Sequence, residues 1–76
     1  MKIGILIVDD EDGIRRSLAR LLKEDGYLVQ VARDGEEALG IFEKDPHNFD
    51  IVICDLIMPG IDGIKTIEEI NKIHRK

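Results

Sequence analysis

Apolar residues along this chain alternate between two kinds of pattern. Ile3 to Val8 (IGILIV) is apolar at nearly every position, as in a strand buried on both faces of a parallel sheet. Asp9, Asp10, Glu11 and Asp12 end that run abruptly. From Gly13 the period becomes helical. Ile14, Leu18, Leu21 and Leu22 recur at helical spacing, with Arg15, Arg16, Arg20 and Lys23 between them. Caps and the helix dipole favour acids at such a helix start, and Gly26 suits its C-terminal stop. Tyr27 to Ala32 (YLVQVA) reads as a second strand, less apolar because of Gln30. Asp34 is placed to cap a second helix whose apolar side is Ala38, Leu39, Ile41 and Phe42, and Asp45-Pro46 ends it. Ile51 to Cys54 is a third strand, Pro59-Gly60 a turn, and Asp62 the cap of a third helix that runs to the carboxyl end.

Strands alternating with helices imply an α/β fold of βαβ units with right-handed crossovers. The chain is expected to form a βαβαβα three-layer sandwich. The first strand is the most apolar and belongs in the centre, while the glutamine in the second suits an edge. That favours a parallel sheet of strand order 2-1-3. The connections then leave strand one in opposite directions, and a ligand crevice opens at the carboxyl ends of strands one and three.

Seventy-six residues allow one small domain; a chain of this size buries only about 60% of its unfolded surface. The composition, 43% hydrophobic and 36% charged, is that of a water-soluble protein. A net charge of −5 argues against a nucleic-acid footprint, and no apolar run is long enough to span a bilayer. Cys54 is the one cysteine and sits in an apolar run, so it reads as a buried small hydrophobe. MKIGILIVDD lacks the cleavage site of a signal peptide, and a cytoplasmic location is expected. His47 and His74 stand alone and read as surface histidines, while Tyr27, Phe42 and Phe49 read as core aromatics.

Charge matters most where the strands end. In order 2-1-3, Asp9 and Asp10 finish one strand and Asp55 finishes its neighbour, roughly 4.8 Å away. Carboxylates about 6 Å apart repel by roughly 3 kcal/mol per pair at an effective dielectric near 20. A hard divalent cation such as Mg²⁺ relieves that crowding and leaves coordination positions for water or phosphate oxygens. The competing reading makes Asp9 to Asp12 a solvated helix cap; it accounts for Glu11 and Asp12 but not for Asp55, which stands between IVIC and Leu56-Ile57-Met58. Spacing alone leaves both open. A dinucleotide or flavin site is disfavoured, because the loop after strand one carries acids where phosphate needs glycines or hydroxyls. A metal-dependent phosphohydrolase would want a second acid two residues past the nucleophile, and position 57 is Ile.

At ILIVDDE (5–11), IRRSLARLL (14–22), DGEEAL (34–39) and DLIMPGIDG (55–63) the sequence resembles the receiver domain of two-component response regulators. The resemblance runs along nearly the whole chain, and it implies a flavodoxin-like fold and a phosphoacceptor rather than an enzyme. Carried over by residue, it implies that Asp55 accepts a phosphoryl group from the phosphohistidine of a sensor histidine kinase. Asp10 would bind Mg²⁺ directly, Asp9 directly or through water, and the Ile57 backbone carbonyl would be a further ligand. Met58, Pro59 and Gly60 would shape the adjoining loop. The first helix, around Ile14, Arg15 and Leu18, would help dock the kinase, although Leu18 reads better as core.

Receivers continue for two more strand-helix units, which supply a Thr or Ser and a Lys at the phosphoryl site. Residues 1–76 therefore resemble a partial receiver, and Lys65, Lys72 and Lys76 do not match that lysine. Strand three reads as a central strand placed at an edge. Ile64, Ile67, Ile70 and Ile73 form a broad apolar arc that one helix on a small sheet cannot bury. Such an edge is a template for association, and a homodimer through the strand-three edge or the exposed sheet face is expected. The alternative function is that of a half-domain that folds by self-association and transfers no phosphoryl group.

Overall fold

A computed structural model describes residues 2–55 and 63–74. The elements, in order, are β1 (Gly4–Val8), α1 (Asp12–Glu24), β2 (Leu28–Ala32), α2 (Gly35–Lys44), a 3-10 turn (Pro46–Asn48), β3 (Ile51–Cys54) and α3 (Gly63–His74). The strands form one parallel sheet of order β2-β1-β3. Ile5 and Ile7 of β1 pair with Val29 and Val31 on one side and with Ile51 and Ile53 on the other. The sequence places strands one and two one residue too early; strand three is as expected.

Local chemistry explains the boundaries. Asp34 caps α2 by accepting the Glu37 backbone N–H (2.8 Å), and the Glu37 carboxylate turns back to accept the Arg33 N–H (2.9 Å). The N-cap of α1 is Glu11, whose side chain makes no capping bond. Its N–H is held instead by the Asp9 carboxylate at 2.9 Å. Gly26 ends α1 at φ 94°, a conformation other residues adopt only at a cost. The Asp62 cap lies outside the described residues.

Every residue of β1 is buried, because it has a strand on each side and helices on both faces. On one face Leu6, Val8 and Ala32 pack against Ala38 and Phe42 of α2, Phe49, and Ile70 of α3. The Phe42 and Phe49 rings stack at 5.9 Å. On the other face Ile5 and Ile7 meet Leu18, Ala19 and Leu22 of α1, with Tyr27 and Val29 beside them. Tyr27 is half-buried rather than fully internal, and His47 is exposed as expected.

The two faces are not covered equally. A helix about 10 Å across shields roughly two strands spaced about 4.8 Å apart. Among the described residues, two helices serve three strands on one face, but α1 alone serves the other. Ile51 and Ile53, which share that face with Ile5 and Ile7, stay 44% and 38% exposed. Among the described residues, no helix is long and apolar enough to cross a membrane.

Candidate metal centre

Parallel strands deliver their last residues to one end of the sheet, and the acids sit there. The Asp9 N–H donates to the Ala32 carbonyl (3.1 Å), and the Asp55 N–H donates to the Val8 carbonyl (2.9 Å). Each aspartate thus extends the ladder by one rung, which fixes its backbone to the adjacent strand. As a result Asp9, Asp10 and Asp55 each bring a carboxylate oxygen within 4.8 Å of the others. Asp9 and Asp55 are half-buried and Asp10 is exposed. Two unit charges at that distance repel by about 3.5 kcal/mol at an effective dielectric near 20, and by less where water reaches them. Oxygen donors converging at this spacing suit a hard divalent cation. The helix-cap reading accounts for Glu11 and Asp12 at the start of α1, but not for this convergence.

Arg15 escaped the sequence reading of the site. Its Nη1 donates to the Asp9 backbone carbonyl at 2.8 Å, and its Nη2 pairs with the Asp12 carboxylate. The guanidinium therefore ties α1 to the rung that carries Asp9, and so it is committed to the loop rather than presented to a partner. Its position, six residues after Asp9, gives no period-based signal. Cys54 lies half-buried against the core beside the acids. Burial pushes its thiol pKa up, and the Asp55 and Asp9 carboxylates push it further. Ile57, Met58, Pro59 and Gly60 lie outside the described residues.

The model of the response regulator receiver domain family matches residues 5–76. The chain belongs to that family. A receiver is a phosphoacceptor module of two-component signalling, and the three-stranded order described above is the CheY-like, flavodoxin-like arrangement. The chain is 47% identical, over 93% of its length, to a probable transcriptional regulator, ycf27, of Guillardia theta, of which it spans 27%. It is 41% identical, over 92% of its length, to the sensor kinase CckA of Brucella abortus, of which it spans 7%. Among solved structures it superposes on the response regulator TrrA of Thermotoga maritima, solved in complex with Mg²⁺–BeF. That match has a TM-score of 0.87 and 47% identity, over 99% of this chain and 63% of the other.

One expectation needs correction. Reading the receiver as something other than an enzyme goes further than family membership permits. A phosphoacceptor that also speeds loss of its own phosphoryl group would still belong to the family.

Proposed function

We propose that Asp55 is the phosphoacceptor of a two-component relay, and that Asp9, Asp10 and Asp55 hold Mg²⁺ with the Ile57 backbone carbonyl as a further ligand. The convergence of three carboxylates within 4.8 Å at the open ends of β1 and β3 carries this reading. In the transfer, an Asp55 carboxylate oxygen forms a bond to phosphorus. The phosphorus–nitrogen bond to the kinase histidine breaks, and its electron pair returns to the imidazole. When bound, the cation would offset the charge of the carboxylates and of the phosphoryl oxygens. The protein's own part is positional. The Asp55 N–H bond to Val8 holds the nucleophile at the strand end, and Arg15 steadies the Asp9 backbone. Exposed Ile14, near the start of α1, is the apolar contact offered to the kinase, whereas Leu18 packs on the sheet. The relay so described is cytoplasmic.

The test uses a small phosphoryl donor, phosphoramidate, with and without Mg²⁺. The intact mass of the wild-type chain should rise by one phosphoryl group only when Mg²⁺ is present, and Asp55→Asn should stay unmodified. Modification of Asp55→Asn at the wild-type rate would sink the assignment. Asp10→Asn should weaken Mg²⁺ binding, followed by amide shifts at Asp9 and Asp55, by about tenfold or more.

We further propose that residues 1–76 form the first three βα units of a receiver and that the chain pairs as a homodimer through β3. The exposure of Ile51 and Ile53 beside an edge that no described residue pairs supports the pairing. Light scattering across a concentration series should show a mass of two chains, and a monomer throughout would overturn it.

A further inference from the structure

We propose that the outer edge of β2, with the cationic row of α1 above it, binds an acidic peptide in extended form. This surface lies on the side of the sheet away from β3.

The phase of β2 follows from two backbone bonds. The Leu28 N–H donates to the Ile3 carbonyl, and the Ala32 carbonyl accepts the Asp9 N–H. Leu28, Gln30 and Ala32 therefore turn their polar groups toward β1, and Val29 and Val31 turn theirs outward. The outward row stops at Arg33, whose N–H goes to Glu37. Among the described residues, Val29 and Val31 are left as one short, unpaired edge. Val31 is 40% exposed, so its apolar surface adds to what an incoming strand would cover.

Charge decides which strand fits. An open groove of about 570 Å³ runs between α1 and Val31; its charged lining is Arg15, Arg16, Arg20 and Lys23 with one acid, Glu24. Among the described residues Arg20 has one charged partner, Glu24 at 3.7 Å, and both are largely exposed; such a pair is weak. Among the described residues, Arg16 and Lys23 have none. The axial rise is about 6 Å from Arg16 to Arg20 and about 4.5 Å from Arg20 to Lys23. Alternate residues of a strand recur every 6.6 Å or so. A strand hydrogen-bonded to Val29 and Val31 would thus place two successive alternate side chains near Arg16 and Arg20, while the shorter step to Lys23 is taken up by its long flexible stem. Cations over an edge repel basic strands and disfavour neutral ones, which would desolvate them without pairing, but they admit an acidic one. The chain's net charge of −5 does not prevent this. At physiological salt the screening length is about 8 Å, so the nearby row outweighs the distant acids. Main-chain bonds give the affinity and the alternate acids the selectivity.

Two short peptides serve as probes, one alternating glutamate with threonine and the other alternating lysine with threonine. The glutamate peptide should slow hydrogen exchange at the Val29 and Val31 amides by about tenfold or more at saturation, and about 0.5 M NaCl should abolish the effect. Arg16→Glu with Lys23→Glu should remove binding while the far-UV circular dichroism is retained. The milder Arg16→Gln should weaken it if the double variant unfolds. Equal binding of the lysine peptide, or no binding at millimolar concentration, would overturn the proposal. So would amide shifts confined to α1 with no protection at Val29 and Val31, the mark of loose polyanion adsorption.

Discussion

Gly4 is held through both of its backbone polar groups, each bonded to Asp50. Its N–H donates to the Asp50 carboxylate at 2.9 Å, and its carbonyl accepts the Asp50 N–H at 2.8 Å. A Cβ added there would overlap the Asn48 carbonyl oxygen, a backbone atom that cannot swing away. Gly4→Ala should therefore cost about 1–3 kcal/mol, which lowers the melting temperature of so small a domain by about 4–8 °C per kcal/mol. An unchanged thermal midpoint would show that the turn before β3 shifts freely. Mg²⁺-induced shifts at Asp9 should survive in the folded fraction, because Gly4 lies at the opposite end of β1. Cys54 makes a second residue-scale prediction. Its thiol is raised first by burial, then by Asp55 and Asp9. Without divalent cation, the alkylation-rate profile of Asp55→Asn should move to lower pH, yet stay above that of a free thiol. A profile unmoved by Asp55→Asn would leave burial and Asp9 as the causes.

At the scale of elements, the Asp34 cap is the most separable contribution. It satisfies one of the orphan N–H groups of α2, and Glu37 returns the contact to Arg33. Asp34→Ala should destabilise by about 1 kcal/mol, measurable as a lower denaturation midpoint with an unchanged slope. The element order, the cap and the sheet order were legible in the sequence because each is written locally: a period of apolar residues, a helix-starting aspartate, a glutamine at the edge strand. The acidic site was legible because strand order alone carries Asp9, Asp10 and Asp55 to one end. What could not be read were contacts with no period. The link from Gly4 to Asp50 and that from Arg15 to the Asp9 carbonyl depend on how turns close. Periodicity also named a side of α1 without naming its partner. Leu18 and Leu22 reach the sheet, whereas Ile14 and Leu21 remain 52% and 62% exposed.

For the whole molecule, the uneven covering of the sheet sets the expected behaviour in solution. Ile51 and Ile53 lie on the face that α1 half covers, and Ile64 and Ile67 of α3 extend apolar surface on the other face, 59% and 38% exposed. Both open regions fall on the β3 side, so a second copy meeting that edge buries sheet and helix residues together. Apolar area returns about 25 cal/mol per Å² removed from water, which a domain of marginal size needs. Unfolding should then depend on concentration, with each tenfold increase adding about 1.4 kcal/mol per mole of dimer. Ile53→Lys should remain folded as a monomer and lose that dependence. Salt separates this association from peptide binding at β2. Two copies each carrying −5 repel, and added salt screens the repulsion without weakening apolar burial. Dimerisation should therefore strengthen with NaCl while acidic-peptide binding fades. A dimer that dissociates as salt rises would point to charge pairing, not to Ile51 and Ile53, as the source of association.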